Sequence, residues 1–415
     1  MPRFPGLALA LLAGALLLHS APAAAVGIGV TIASGDMNDD GLQDVVTLSP
    51  DSSQVNLLLT DGQGDFTVTS QDYPDIGDMS SLALADVNGD GWLDVIISDQ
   101  SDGASGVRVL LNKMDGTFAA DVAYPLRADA GPGAVSLTAA DVNGDGFPDI
   151  VTANGMAGTI SVLLNEGDGT FAAPVTYPAG IQPTSVMVAD MNGDGFPDLV
   201  VTDTAGDSVL VLLNDGSGVF AAPLTQAVGA GPVAVSITDV DGDGRPDVLV
   251  ANRDDDTAGV LLGLGDGSFG PPTFYATGNQ PGWITAEDLD GDGRPDIVTD
   301  NYSDGSISLF ANHGAGGFGS QHQLFPDYGS YDTVVMTVGG KRQLVSTNLP
   351  AGVVVVTPTA TAVQSGGGKP PKSTVHHIAG AHDPQSSNGG SGALDAFSLL
   401  LLGALLARRR TSRPA

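Results

Sequence analysis

The 415-residue chain contains no cysteine. Disulfides, thiolate nucleophiles and thiolate metal sites are thereby excluded, and rigidity must come from another source. Basic residues are scarce: 15 Lys and Arg stand against 48 Asp and Glu, for a formal net charge of −33. Nucleic acids and anionic lipid surfaces demand positive charge, so both are poor partners, whereas cations are good ones. Histidine is rare as well, and between Val26 and Ser365 only His313 and His322 occur. No serine there sits in a G-x-S-x-G setting. The residue types do not rule out carboxylate-pair chemistry of the glycosidase kind. Nearly all the clustered carboxylates, however, belong to the repeat described next, and the expectation is a protein that is not an enzyme.

What the chain has is glycine, 58 residues of it, and a nine-residue acidic string that keeps returning. It reads DMNDDGLQD from Asp36, DVNGDGWLD from Asp86, DVNGDGFPD from Asp141, DMNGDGFPD from Asp190, DVDGDGRPD from Asp239 and DLDGDGRPD from Asp288. The steps are 50, 55, 49, 49 and 49 residues. Six copies in phase define a repeat architecture. The stretch from Val26 to Ser365 holds 8 basic and 46 acidic residues, a net of −38.

One repeat, Thr184 to Ala227, shows the local pattern. Ser185–Ala189 reads as a first strand, Leu199–Thr202 as a second, Val209–Leu213 as a third and Phe220–Gln226 as a more polar fourth, with turn signals between them. A single four-stranded antiparallel sheet cannot bury both faces, but sheets stacked radially can. A seventh unit follows in TVVMTVGGKRQLVSTNLPAGVVVVTP. Setting Leu344–Asn348 against Ile297–Asn301 puts Val335 where Asp288 stands, so the seventh unit would lack every loop carboxylate. The expected fold is all-β: a seven-bladed β-propeller of four-stranded antiparallel blades, six with the acidic loop and a degenerate seventh. A linear solenoid is the alternative, and the lack of polar capping repeats argues against it.

The acidic string spaces oxygen donors along a tight loop. Positions 1, 3, 5 and 9 carry side-chain oxygens, Gly at 6 permits the sharp turn, and the carbonyl at 7 is a further donor. The first half matches an EF-hand loop, but here an Asp at 9 closes the site and a strand follows. Pro148, Pro197, Pro246 and Pro295 at position 8 would break an entering helix. Hard oxygen ligands without Cys or His select Ca²⁺. The candidate ligands are Asp36, Asn38, Asp40 and Asp44; Asp86, Asn88, Asp90 and Asp94; Asp141, Asn143, Asp145 and Asp149; Asp190, Asn192, Asp194 and Asp198; Asp239, Asp241, Asp243 and Asp247; and Asp288, Asp290, Asp292 and Asp296. About six Ca²⁺ are implied. The last two loops carry Asp at position 3 and are expected to bind more tightly than the other four. Asp115, Asp168, Asp215 and Asp266, in a second recurring loop, read as turn residues.

These loops, with phrases such as GDGTFAAPVTYP from Gly167, resemble the FG-GAP/VCBS repeat of integrin alpha-chain heads and many bacterial surface proteins. The resemblance runs from about Ala33 to Thr357. It implies a calcium-binding propeller and a non-catalytic binding or adhesion role. The alternative is a glycan-binding, lectin-like module or an accessory domain of polysaccharide processing.

The ends of the chain carry other signals. Residues 1–25 have the charged, apolar and small-residue segments of a secretory signal peptide. The propeller is expected over 26–363. Residues 364–392 read as a disordered Gly/Pro/Ser linker, in which His376, His377 and His382 are simply polar. Residues 393–415 hold a short apolar run and the Arg408–Arg410 cluster. This tail resembles the GlyGly-CTERM sorting signal of Gram-negative bacteria, which implies proteolytic removal. A plain short anchor is the other reading. Both place the protein outside the cytoplasm, at the cell surface or in the medium, with membrane contact only through the tail.

The aromatic residues suggest where a protein or glycan ligand would sit. Tyr73, Tyr124, Tyr177 and Tyr275 recur at the end of the fourth strand and are expected to pack between blades, towards the end opposite the acidic loops. Trp283, Tyr302, Tyr328 and Tyr331 break the pattern near Asn279, Gln280, Asn301 and Asp304. They are the candidate ligand-binding cluster, because aromatic faces with polar neighbours suit sugar stacking or a protein hot spot.

Overall fold

The computed structural model describes residues 32–49, 53–61, 66–76, 79–100, 106–126, 136–324, 332–338, 341–348, 352–357 and 374–378. The expected signal peptide, the tail over 393–415, and Tyr328 and Tyr331 lie outside the described residues.

Every strand belongs to a four-stranded antiparallel meander whose strands pair in chain order. In the fourth blade the strands are Pro183–Ala189, Asp198–Asp203, Ser208–Leu212 and Leu224–Ala227. The first three fall where the apolar pattern places them. The fourth begins at Leu224, not at Phe220 as expected. Pro223 has no N–H to give to a ladder, so pairing starts after it. Phe220 instead forms an isolated bridge with Asn214. The same bridge recurs at Asn112–Phe118, Asn165–Phe171, Gly263–Phe269 and Asn312–Phe318.

Burial follows from radial stacking. In the fourth blade every residue of the second and third strands is buried, whereas the fourth strand is mostly exposed. A strand covered on both faces needs a continuous apolar run, and LVVT and VLVL supply one. The core lies between blades. Val151, Ile160 and Val162 of the third blade pack with Val186, Val201, Leu210 and Phe220 of the fourth. Each such aliphatic side chain contributes about 1.5–3 kcal/mol on full burial. A single sheet therefore has no core of its own, and stability depends on the neighbour.

Six sheets between Ile32 and Leu324 carry the acidic loop between their first and second strands. A further four-stranded sheet follows, made of Asp332–Val338, Lys341–Asn348, Gly352–Thr357 and Thr374–Ile378. It corrects two expectations. Only Gly339 and Gly340 separate its first two strands, against eight residues in each of the six others. Val335 pairs with Leu344 inside the ladder, not at the start of a loop. The acidic loop is deleted as a unit, and an ungapped alignment could not reveal that. Its fourth strand falls inside the segment expected to be a disordered linker. There His376 pairs with Val355 and His377 with Val354. The β-branched residues of Thr374–Ile378 suit the ladder they join.

The first strands adjoin one another in chain order, from Ile32–Gly35 through Met79–Ala85, Ser136–Ala140, Pro183–Ala189 and Pro232–Thr238 to Pro281–Glu287. Asp332–Val338 lies against both Pro281–Glu287 and Ile32–Gly35. This circular arrangement puts all the acidic loops on one end. The turns between second and third strands, and the blade-to-blade connections, occupy the other.

Candidate metal loops and the opposite end

Asp141–Asp149 shows how one loop is built. Asp141 at position 1 accepts hydrogen bonds from the amides of Gly144 and Asp145 on Oδ1, at 2.7 and 3.2 Å, and from Gly146 on Oδ2 at 2.8 Å. Asn143 Oδ1 accepts from the Asp145 amide at 2.9 Å, and Asp145 Oδ1 from the Phe147 amide at 2.9 Å. The chain winds around these carboxylates because Gly144 and Gly146 take φ of 77° and 92°, a region that L side chains avoid. Asp39, at the Gly144 position of the first loop, has φ of 55° and is the one side chain there forced into the left-handed region.

Position 9 is the hinge between loop and core. Asp149 is fully buried as the first residue of its strand. Its Oδ2 accepts from the Val142 amide at 3.0 Å and closes the loop, while Oδ1 accepts from the Asn165 amide at 2.7 Å and holds the start of the second recurring loop. Asp44, Asp94, Asp198, Asp247 and Asp296 make the same two contacts in their blades. Burial is the main influence on their acidity. It pushes Asp94, Asp149 and Asp296 up to about 6, against the lowering effect of the two amides and with help from the neighbouring loop carboxylates. Asp44, Asp198 and Asp247 are raised for the same reasons. A nearby cation would relieve that cost by favouring the ionised form.

In the last two loops the carboxylate oxygens of positions 1, 3 and 9 converge. Oxygens of Asp239, Asp241 and Asp247 lie within 4.8 Å of one another, as do those of Asp288, Asp290 and Asp296, so either group could hold a metal ion. An all-oxygen donor set of this kind fits a hard divalent cation. Asp243 and Asp292 at position 5 stand outside these groups and pair with Arg245 and Arg294. In the other four loops position 5 accepts the amide of the position-3 asparagine instead, at 2.8–3.0 Å.

The second recurring loop holds neighbours together. Asn165 Nδ2 donates to Pro148 O in its own blade at 3.0 Å and to Val87 O in the preceding acidic loop at 2.9 Å. Asn112, Asn214 and Asn312 do likewise. Sequence reasoning passed over these asparagines, although the recurring N-x-x-D/S/A-G string contained the signal. Asp115, Asp168, Asp215 and Asp266 are turn residues as expected, each accepting the amide and hydroxyl of the Thr or Ser two positions on.

The tyrosines pack between blades. Tyr124, Tyr177 and Tyr275 meet Phe171, Phe220 and Phe318 of the next blade edge-on, with centroids 5.3–5.6 Å apart. Their hydroxyls, however, reach the second recurring loop, on the same end as the acidic loops and not the opposite one. Tyr124 OH donates to Gly169 O at 3.5 Å and Tyr177 OH to Gly218 O at 3.3 Å.

The candidate ligand cluster does not assemble as expected. Trp283 is 3% exposed and packs with Val298, Ile307, Leu309 and Leu344. It lies within the first strand, Pro281–Glu287, and not in a connection, so its ring turns into the core. Tyr302 is 42% exposed. Asn301 is buried and donates to Ser306 and Ser308. The Asn279 amide donates to Asp304, and Gln280 is tied to Asp256 and Ser303. The polar groups thus brace the turns. Besides Tyr302, the exposed features on this end include the aliphatic Met156 at 72% and Ile181 at 66% and the acidic Asp254, Asp255 and Asp256.

The FG-GAP-like repeat family matches the chain in five overlapping windows, residues 36–97, 86–152, 141–201, 190–250 and 239–299. The chain belongs to the FG-GAP-like repeat family. Each window runs from one acidic loop into the second strand of the next blade, so the family unit includes the inter-blade contact. Curated proteins yield no match. Among solved structures, this FG-GAP-like chain is similar to a lectin of Agrocybe aegerita that recognises non-reducing terminal N-acetylglucosamine. The TM-score is 0.52 and the identity 24%, over 73% of this chain and 81% of that one. It is also similar to BBS1N solved in complex with ARL6DN, with TM-score 0.55 and 11% identity over 81% and 96% of the two chains. A Bacteroides fragilis protein named provisionally as a 6-phosphogluconolactonase gives TM-score 0.55 and 14% identity over 84% and 93%. At these identities the likeness shows the propeller fold alone.

Proposed function

We propose that this chain is an exported, calcium-stabilised propeller of seven blades that works as a non-catalytic binding module at the cell surface, with a protein as its ligand. The sheet over 332–378 is the seventh blade, a reading supported by its first strand lying between those of blades one and six. About six Ca²⁺ occupy the acidic loops, with positions 1, 3, 5 and 9 as candidate ligands. The observation that carries the functional reading is the exposure of Met156 and Ile181 on the end opposite the acidic loops, more complete than that of Met114, Phe196, Val219 and Leu264 on the loop end. One end is filled by loops braced around carboxylates. The other presents Met156 and Ile181 to solvent, with Asp254, Asp255 and Asp256 also exposed on that end. Exposed aliphatic side chains suit a protein surface better than a sugar face, which prefers aromatic rings. The glycan reading rested on Trp283, Tyr302, Tyr328 and Tyr331; Trp283 is buried, Tyr302 is exposed, and Tyr328 and Tyr331 lie outside the described residues, so only its tryptophan is weakened.

Chelation and binding together test this. Weak extracellular sites bind with dissociation constants of about 10⁻⁴–10⁻³ M, and metal bound only by the folded state raises its stability. Chelation should lower the melting temperature. Met156→Asp with Ile181→Asp should abolish capture of surface proteins at unchanged melting temperature. An unchanged melting curve on chelation refutes the calcium role. Undiminished capture by the double variant, or binding confined to a glycan array, refutes the protein-ligand role.

A further inference from the structure

The two loops with Asp at position 3 are also the two with Arg at position 7. Elsewhere position 7 is Leu42, Trp92, Phe147 or Phe196. These changes compensate in two ways. The first concerns hydrogen bonding. In the four asparagine loops the position-3 amide supplies the donor to Oδ2 of position 5, as from Asn192 to Asp194 at 2.8 Å. An aspartate at position 3 removes that donor and adds a like charge. Arg245 and Arg294 restore the donor, because each pairs through its NH2 group with that same Oδ2, of Asp243 and Asp292. Each is held in place by a second bond from Nε, to Gly263 O and Asn312 O respectively, both at 2.9 Å. The second compensation concerns packing. The Arg245 stem lies over Gly265, where the Phe196 ring lies over Gly216 in the preceding blade.

We propose that Arg245 and Arg294 act as built-in counter-cations that hold the position-5 carboxylate away from the ion, so that these two loops bind calcium more weakly than the other four. The inference rests on the calcium reading of the acidic loops. It reverses what carboxylate counting suggests. The extra Asp brings one negative charge and the Arg one positive, so the formal charge of each set, −3, equals that of an asparagine loop. What changes is availability. Where calcium uses position 5, the ion must first displace a guanidinium held by two bonds. Where it does not, the ion binds to positions 1, 3 and 9 with one carboxylate fewer. Either route costs affinity. The protein then has two classes of site. Four loops fill first and two remain held by arginine at low calcium, keeping the fifth and sixth blades in shape without the metal.

The glycine at position 6 reports on each loop separately, because its amide donates to the position-1 carboxylate, at 2.8 Å for Gly244 and 2.9 Å for Gly293. Calcium titration of the whole chain, followed by amide NMR, should shift Gly41, Gly91, Gly146 and Gly195 before Gly244 and Gly293. The expected separation is roughly 1.5-fold to fivefold in calcium concentration, the range over which an exposed ion pair moves an equilibrium. Arg245→Phe with Arg294→Phe should reverse the order, since four carboxylates would then act unopposed. Arg245→Gln with Arg294→Gln keeps the stems over the loops, removes the charge, and decides the matter if the Phe pair does not fold. The proposal fails if Gly244 and Gly293 respond with or ahead of the others in the unaltered chain, or if neither pair of substitutions changes the order. Absence of any shift at all six glycines overturns the calcium reading itself, and the arginine proposal with it.

Discussion

Asn214 Nδ2 donates to the carbonyl of Val142, 72 positions earlier and one blade back, at 2.7 Å, and to Pro197 O of its own acidic loop at 2.8 Å. One amide thus links two adjacent loops, through one buried and one part-buried bond.

Asn214→Ala should leave two carbonyls without their donor. The expected loss of stability is about 1–3 kcal/mol, measured by urea denaturation. The fifth blade supplies a natural contrast, since Gly263 stands at this position and the Gly267 amide donates to Met191 O instead, at 3.1 Å. Gly263→Asn cannot install the missing link, because its Cβ would meet Pro246 O at 2.2 Å. That substitution should destabilise as well. A stabilised Gly263→Asn protein would contradict the role assigned to the backbone there.

The tyrosine contacts separate packing from hydrogen bonding. Tyr177 meets the Phe220 ring at 5.6 Å, and its hydroxyl donates to Gly218 O at 3.3 Å. Tyr177→Phe keeps the edge-on ring pair and should cost about 0.5–1.5 kcal/mol. Tyr177→Ala opens a cavity between blades and should cost about 3–5 kcal/mol. Equal losses in equilibrium unfolding would mean that the hydroxyl, and not the ring, joins the blades.

The buried position-9 carboxylates make metal-free stability depend on pH with an unusual sign. Asp94, Asp149 and Asp296 are raised to about 6 by burial, above the ordinary value of 3.8. The folded form therefore holds protons that the unfolded form releases. This contribution to stability is fully present below the unfolded value and is lost as pH rises through about 6. With chelator present, the melting temperature should be higher at pH 5 than at pH 7.5. With calcium present, the ionised carboxylates are favoured and the gap between the calcium and chelator curves should widen with pH. A chelated protein whose melting temperature rises from pH 5 to 7.5 would contradict this.

The fold could be read from the sequence because a repeat displays its period, its turn residues and its buried strands several times over. Asp149 and its equivalents stood out for the same reason. What was hidden depended on geometry that no single repeat states. The seventh unit looked like a loop with its carboxylates replaced, when the loop had been deleted down to Gly339 and Gly340. The extra carboxylates at Asp241 and Asp290 are visible in the sequence, but the pairing of Arg245 and Arg294 with the neighbouring position-5 groups is not. Hydroxyl direction was also hidden. Tyr124 sits late in its strand, yet its side chain reaches back to Gly169 in the next blade.

Trp283 is the sharpest case. Its neighbours Asn279, Gln280 and Tyr302 made it look like part of an exposed ligand platform. It lies instead in a strand that begins at Pro281, where the ladder shifts register between Pro281 and Trp283. The ring enters the cluster with Ile307, Leu309 and Leu344, against the sheet that follows the sixth blade. Trp283→Ala should therefore act on folding, with a loss of about 3–5 kcal/mol, as for other large buried side chains. Tyr302→Ala, at an exposed turn, should leave the melting temperature nearly unchanged. Trp283→Ala with normal stability and impaired ligand capture would return the tryptophan to the binding surface. A large loss of stability, with capture intact in whatever fraction stays folded, would confirm it as the wedge between the sixth blade and its neighbour.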